Sequence, residues 1–235
     1  MMKSVRYPLI DFLKGFAILN VIAFHLLYDL YVMTGKDVNW PFGFGISMWQ
    51  EVGLSLLIAL AGMSAKLMGQ AKRWRNGWKL TLLGIGISLG TYFFMPEELI
   101  LYGVLSFFGS SLLLTAVLER WELLERLRPV WGVLLCVFAY LLTWRVGDIE
   151  AESDMLAILG LRSAEFFSAD YVPLLPYIFV FWSGFYGLSL LQRYLPQVLL
   201  LGKWKPLEWC GKHSLLIYLL HQPILLFILT ILGII

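Results

Sequence analysis

Four ionisable residues stand inside the first apolar segment of the chain, DFLKGFAILNVIAFHLLYDL (11–30). They are Asp11, Lys14, His25 and Asp29. A titratable side chain at bilayer depth is costly and by default marks a functional site. On an α-helix, which turns about 100° per residue, all four fall within about 60° of one another. The spacing therefore predicts one helix face that points to protein or water and carries chemistry.

The pair closest to catalysis is His25 and Asp29. They are four positions apart, so the carboxylate can reach the imidazole one turn away. A carboxylate on one ring nitrogen fixes the tautomer and makes the other nitrogen more basic, as a general base requires. A purely structural hydrogen bond within a helix bundle is the alternative. For Asp11 and Lys14 the alternative is a satisfied ion pair, with the lysine reaching the cytoplasmic surface.

The composition indicates that most of the chain lies in a lipid bilayer. Its 235 residues are 60% hydrophobic and only 14% charged, and the mean hydropathy is +0.77. Because soluble domains carry about a quarter charged residues, this is an integral membrane protein. The two cysteines form neither a disulfide framework nor a metal pattern. No HExxH, CxxC or Gly-rich phosphate loop is present, so we expect no metal site of those kinds.

The apolar segments predict an all-α, polytopic membrane helix bundle with about seven transmembrane helices in a single domain, 1–235. Each segment reaches the roughly 20 residues that a span needs. Lys and Arg fall mostly on one side of this arrangement, which places the N-terminus in the cytoplasm and the C-terminus outside. We also expect a tight hairpin at 95–98, a short interfacial helix at 119–128 and a long outer loop at 147–170. The predicted spans are 8–32, 44–68, 78–95, 98–118, 129–146, 171–192 and 213–234.

Other polar residues could contact an oxyanion or the acceptor, namely Glu51, Trp182, His221 and Gln222. Glu51 stands at about the depth of His25, although an exposed helix end explains it equally well. His221 precedes Pro223, which removes a backbone donor, so a structural role for this imidazole is the alternative. Two small residues in the second span, Gly53 and Gly62, are interpreted as helix-packing positions.

Two basic clusters, 66–79 and 203–212, lie on the predicted cytoplasmic side. Ordinary orientation of the spans and contact with anionic lipid explain such clusters. The sharper hypothesis is a docking surface for a polyphosphate donor. Its candidate residues are Lys14 with Asp11, Lys72, Arg73 and Lys203. His213, at the start of the last span, is interpreted as a loop residue near the headgroups.

The first helix resembles that of the acyltransferase-3 family. The pattern runs Arg6, Asp11, Lys14-Gly15-Phe16-Ala17-Ile18 and His25. In that family a basic residue, usually Arg, precedes a histidine with ten residues between them. Lys14 and His25 have this spacing, although Lys lacks the planar fork of Arg. A broader similarity is to bacterial members of the heparan-α-glucosaminide N-acetyltransferase catalytic-domain family, carried by the segments 10–30, 57–67, 100–114, 170–187 and 209–225.

This resemblance implies transfer of an acetyl or other acyl group from cytoplasmic acetyl-CoA, as co-substrate, to an amine or hydroxyl at the outer side. His25 would be the general base or the acyl carrier, and Lys14 would bind the donor. The expected partners are membrane lipids and a small-molecule or glycan acceptor, with no nucleic acid and with a homodimer allowed. The expected location is the cell (inner or plasma) membrane. The alternative is a proton-coupled transporter or flippase that uses the charged stripe as a proton relay.

Overall fold

The computed structural model describes residues 6–37, 39–202 and 204–234. These residues form eight α-helices joined by short 3₁₀ and π turns. A proline in the first turn, where its missing N–H has no intrahelical partner, helps to start α1, α5 and α7. The helices are α1 Pro8–Tyr28, α2 Phe44–Lys66, α3 Gln70–Phe94, α4 Val104–Arg120, α5 Pro129–Thr143, α6 Leu174–Tyr194, α7 Lys205–Lys212 and α8 Ser214–Ile231.

Within the described residues, five helical segments are long and apolar enough to cross a membrane. The all-helical membrane architecture is thereby confirmed in its coarse form. Two further predicted spans correspond to α3 and α4. The helix α4 has 17 residues, and the first turns of α3 carry several lysines and arginines. The five segments are Pro8–Met33, Phe44–Lys66, Pro129–Asp148, Leu174–Tyr194 and Ser214–Ile231.

The chain divides into two compact units. The first unit, residues 61–190, contains the end of α2 and the helices α3 to α6. Its core is built on Phe107, Phe181 and Phe185, which are almost completely buried. The C-terminal part of α2 packs closely on α6, because a Cβ at Gly62 would collide with the carbonyl oxygen of Phe181. This confirms the packing role predicted for Gly62.

Within the first unit, α3 and α4 form an antiparallel pair that is fixed at both ends. At one end Gln70 Nε2 donates to the carbonyl of Ala116 over 3.1 Å. At the other end the connection between the two helices pairs with the segment that precedes α6. The Ala169 N–H donates to the Leu99 carbonyl over 2.9 Å, and Ser168 Oγ accepts from the N–H of Leu101 over 2.9 Å. The α3–α4 connection and the start of α6 therefore lie at the same end of this unit.

The interfacial helix predicted at 119–128 is wrong. The helix α4 ends at Arg120, and residues 121–127 form consecutive turns. Glu122 has a positive φ of 57°, which a continuing right-handed helix cannot include. The turn is fixed from outside the segment, since the Tyr186 hydroxyl donates to the carbonyl of Leu124 over 2.9 Å. A tertiary contact therefore overrides the helical periodicity of the charges.

The second unit comprises residues 6–60 and 191–234, except 38 and 203. It contains α1, the first part of α2, α7 and α8. The helix α7 lies in the basic cluster 203–212, where the sequence predicts no helix. It packs directly on the N-terminal half of α1 through two glycines. A Cβ at Gly15 would collide with the Leu207 carbonyl, and a Cβ at Gly211 would collide with the Asp11 carbonyl. Only glycine allows these two backbones to approach so closely.

The first part of α2 is attached to the middle of α1 by a polar contact. Trp49 Nε1 donates to Asn20 Oδ1 over 3.0 Å. The same oxygen would lie 2.9 Å from a Cβ at Gly53. Gly53 is therefore a packing position, as predicted, and Asn20 serves a different face of α1 from the charged stripe.

Candidate active site

The site begins where α1 changes its geometry. The α-helix ends at Tyr28 and continues as a π turn, Asp29–Met33. The Asp29 N–H reaches the carbonyls of both His25 and Leu26. Single π turns in an α-helix occur often at functional sites, because they displace a side chain from the regular helical position. The π turn begins at Asp29, whose exposed fraction is 0%.

The buried carboxylate of Asp29 is held by the last helix. Gln222 Nε2 on α8 donates to Asp29 Oδ1 over 2.8 Å. The second oxygen, Oδ2, is buried and has no hydrogen-bond partner among the described residues. Burying a carboxylate with an unsatisfied oxygen costs stability, so such a group is usually retained for function. The pairing of Asp29 with His25 remains a prediction.

Two histidines from different helices meet beside this carboxylate. The ring centroids of His25 on α1 and His221 on α8 are 4.8 Å apart, and the rings cross at 66°. His221 Nδ1 lies 2.5 Å from the carbonyl oxygen of Tyr218. Because a carbonyl only accepts, Nδ1 carries a hydrogen and neutral His221 has its lone pair on Nε2. Neutral His221 therefore has no second N–H for an oxyanion, and only its cation could donate there.

An aromatic cluster covers the neighbouring surface of α1. The Phe24 ring lies 6.0 Å from that of His25 and 5.6 Å from each of Trp40 and Trp49. Tyr31 stacks on Trp40 with centroids 5.6 Å apart and planes 7° from parallel. Sequence reasoning missed this cluster, although the aromatic residues that follow the first span were a visible signal. Its rings give the surroundings of His25 an aromatic side.

The predicted donor end of α1 lies about three turns from His25. Lys14 and His25 are eleven residues apart, or about 16 Å along the helix axis. Lys14 is half-buried, and its charged neighbours are Asp11 and Arg6. The backbone on either side of it, at Asp11 and Gly15, is covered by α7. Glu51, on the first part of α2, is also half-buried.

Three further predicted site residues, Lys72, Arg73 and Trp182, belong to the first unit. Lys72 is exposed, whereas Arg73 is 2% exposed. Arg73 forms an ion pair with Glu119 and donates to the carbonyls of Ala65 and Met68. Its guanidinium thus ties the end of α2 to the end of α4.

Trp182 also has its polar group engaged within the first unit, since its Nε1 donates to Thr115 Oγ1 over 3.0 Å. Lys203 lies outside the described residues. The structure thus brings four predicted residues together, His25, Asp29, His221 and Gln222. No group of three or more His, Cys, Asp or Glu side chains in the described part of the chain could hold a metal ion.

A family model described as "Heparan-alpha-glucosaminide N-acetyltransferase, catalytic" matches residues 6–223, nearly the whole chain. The chain belongs to this family. Searches of curated proteins and of solved structures find no significant match. Membership confirms the resemblance seen in the sequence and implies a membrane acetyltransferase for sugar or glycan acceptors. The family match includes His25 and Asp29 on α1 and His221 and Gln222 on α8.

Proposed function

We propose that this member of the N-acetyltransferase family moves an acetyl (acyl) group from cytoplasmic acetyl-CoA to an amine or hydroxyl of a sugar or glycan at the outer side of the membrane. One observation carries the proposal: within a chain of this family, an intramembrane histidine, His25, packs against a second histidine and stands four positions before a buried carboxylate, Asp29. Such a cluster can accept and return protons where water is scarce.

The reaction needs one proton acceptor near the thioester. The acceptor nitrogen or oxygen forms a bond to the acetyl carbon, and the carbon–sulfur bond of the thioester breaks. His25 takes the proton that the acceptor loses and returns it to the departing thiolate. In a two-step version the His25 imidazole first takes the acetyl group and then passes it to the acceptor. Both versions place His25 at the reacting carbon and Asp29 in the role of orienting or charge-balancing group.

The donor is expected to reach His25 from the Lys14 end of α1. The distance of about 16 Å between these two residues is shorter than the roughly 30 Å hydrocarbon core, so an extended pantetheine arm could cover it. Positive side chains near the cytoplasm attract the anionic nucleotide part of the donor. Lys14 is the principal candidate, with Asp11, Lys72 and Lys203 as supporting ones. Arg73 is a weaker candidate because its guanidinium already binds Glu119 and two carbonyls.

The proposal includes seven membrane crossings, with the N-terminus in the cytoplasm of a cell (inner or plasma) membrane. The support comes from the first unit. The connection after α3 hydrogen-bonds to residues 168 and 169, which follow the long loop after α5. With α5 crossing the membrane, that loop is on the side opposite Arg73. The connection can share this side only if α3 and α4 also cross.

Donor binding is tested by the thermal stability of the detergent-purified protein with acetyl-CoA, with CoA and with neither. A ligand present at 100 times its Kd adds about 2.7 kcal/mol to the free energy of unfolding, which is a measurable shift. We expect the shift in wild type and in His25→Ala, and a smaller one in Lys14→Ala. Transfer of radiolabelled acetyl to D-glucosamine should be absent in His25→Ala.

The opposite results identify the rival function. No stabilisation at millimolar acetyl-CoA, together with no acetyl transfer, contradicts the proposal. Accumulation of a solute in proteoliposomes under a proton gradient, lost in His25→Ala, would then support the proton-coupled transporter. Normal acetyl transfer by His25→Ala would contradict the role given to this residue while leaving the family activity in place.

A further inference from the structure

We propose that His221 is the second proton carrier of the site and acts through His25, so that the reaction uses two imidazoles in series. This inference rests on the proposed acetyl transfer. It assigns His221 a proton-accepting role in place of the oxyanion contact predicted from the sequence. The evidence is the position, tautomer and surroundings of this side chain.

The position of His221 is fixed by its own helix. Its Nδ1–H donates to the Tyr218 carbonyl, which leaves Nε2 as the nitrogen able to accept a proton. The residue is 8% exposed, so bulk water does not compete for that nitrogen. The neighbouring ring is His25, at 4.8 Å between centroids. At this separation one water molecule can bridge the two rings and carry a proton between them.

The cluster also contains the negative charge that a protonated His221 would need. Accepting a proton turns the imidazole into a cation in apolar surroundings, which is unfavourable without a counter-charge. Asp29 is fully buried and is bound by Gln222, the residue next to His221. Its Oδ2 has no hydrogen-bond partner among the described residues. Gln222 is thus a positioning residue that ties the carboxylate to the helix carrying the second imidazole.

In the proposed relay, protons move from the acceptor through His25 to His221 and then return to the thiolate. The acceptor amine or hydroxyl attacks the thioester carbon and gives its proton to one nitrogen of His25. The other nitrogen of His25 passes its own hydrogen to His221 Nε2, so His25 stays neutral and His221 becomes the cation. When the carbon–sulfur bond breaks, the transfers run in reverse and the thiolate leaves as the thiol of CoA. No oxidant, metal or further reactant is required.

The first test compares kcat for transfer of radiolabelled acetyl from acetyl-CoA to D-glucosamine. His221→Gln keeps an N–H donor for the Tyr218 carbonyl but cannot hold an extra proton. We expect it to keep the acetyl-CoA-dependent thermal shift and to lose about 100-fold or more in kcat, the usual size of a general acid–base effect. His221→Gly should be partly restored by added imidazole. The matched control is His213→Gln, because His213 also bonds a backbone carbonyl, that of Trp209, yet is exposed.

Three results would overturn the inference while leaving the proposed acetyl transfer intact. One is a His221→Gln variant within about twofold of wild type, which the 10²–10⁴-fold effect of an acid–base group excludes. Another is a folded His221→Gly variant that imidazole does not restore.

The third comes from wild type and needs no variant, so it decides the question even if the substitutions prevent folding. The rate in mixtures of H₂O and D₂O should curve downward, as expected when two protons move in the same step. A linear dependence contradicts a relay through His221. Absence of transfer in wild type would instead contradict the underlying function.

Discussion

At the scale of single residues, Asp29 shows why a stabilising and a functional explanation differ. Its carboxylate is completely buried and accepts one hydrogen bond, from Gln222. A carboxylate in this setting costs free energy that a neutral group of the same shape does not. Its presence is therefore better explained by chemistry at the neighbouring histidines than by packing.

The substitution Asp29→Asn separates these explanations. Asparagine keeps an oxygen that can accept from Gln222 Nε2 but removes the charge. We expect the thermal midpoint to stay equal or to rise, because the buried charge is gone, while acetyl transfer falls at least about tenfold. Both quantities are measured on the same detergent preparation.

The control for Asp29→Asn is Asp154→Asn. Asp154 is exposed in the long loop between α5 and α6, where its carboxylate accepts from the Ser163 N–H over 2.9 Å. We expect this variant to change neither the thermal midpoint nor the transfer rate substantially. A large fall in the thermal midpoint of Asp29→Asn would contradict the functional explanation and make the residue a structural one.

The sequence indicated which residues are unusual but not which atoms meet. His25, Asp29, His221 and Gln222 stand out because polar side chains are rare in membrane segments. The Asp29–Gln222 hydrogen bond joins residues 193 positions apart, and helical periodicity carries no information about such a distant pair. The π turn at Asp29 was equally hidden, since the apolar pattern of an α-helix continues through it.

At the scale of helices, the α1–α7 crossing depends on the absence of two side chains. Gly15→Ala or Gly211→Ala would drive a methyl group into a backbone carbonyl of the other helix. Because a backbone carbonyl cannot rotate away, we expect each variant to lower the free energy of unfolding by about 1–3 kcal/mol. Gly15→Ala should also weaken the acetyl-CoA-dependent thermal shift, since Gly15 follows Lys14.

A matched control distinguishes this clash from a general effect of replacing glycine. Gly86 in α3 has open space around the position of a Cβ. Gly86→Ala should leave stability unchanged or raise it by about 0.5–1 kcal/mol, because alanine favours the helical backbone. Equal behaviour of Gly86→Ala and Gly211→Ala in thermal unfolding would contradict the crossing.

The Arg73–Glu119 ion pair gives a prediction for the first unit. Arg73→Ala leaves a half-buried carboxylate and two carbonyls without their donor. We expect a loss of about 3–5 kcal/mol in stability, as for other broken buried pairs. Replacing both partners, as in Arg73→Met with Glu119→Leu, should cost clearly less.

The comparison residue for Arg73 is Arg75, which is exposed on the same helix. Arg75→Ala should change stability by no more than about 0.5 kcal/mol in denaturant or thermal unfolding. If Arg73→Ala were as stable as Arg75→Ala but bound acetyl-CoA less tightly, Arg73 would be a donor-binding residue, as the sequence suggested, and not a structural one.

The sequence predicts a helix correctly where length and hydropathy are enough to specify it. The prediction fails where tertiary contacts determine the local structure. The long apolar helices match their predicted segments to within a few residues at most ends. The helix α7 was missed because eight residues with Lys, Pro, Trp and Gly resemble a loop, and its order depends on packing against α1. Residues 121–127 have a helical charge pattern, yet the Tyr186 hydroxyl and the Pro129 start of α5 favour turns.

At the scale of the whole molecule, the number of spans and the positions of the termini are separate questions. The helices α3 and α4 form a hairpin. If neither of them crosses the membrane, the number of spans falls from seven to five, and every other helix keeps its orientation. Labelling the termini alone therefore cannot distinguish five spans from seven. The informative position is the α3–α4 connection, Pro96–Glu98, which is outside with seven spans and in the cytoplasm with five.

Single cysteines at three positions test this arrangement in a variant with Cys136 and Cys210 replaced by serine. A membrane-impermeant maleimide applied to intact cells should label Glu97→Cys and Glu152→Cys, whereas Arg75→Cys should react only after permeabilisation. Glu152→Cys is the control for the outer side and Arg75→Cys for the inner side. Labelling of Glu97→Cys only after permeabilisation would contradict seven spans. It would also be incompatible with the hydrogen bonds that join residues 99 and 101 to residues 168 and 169.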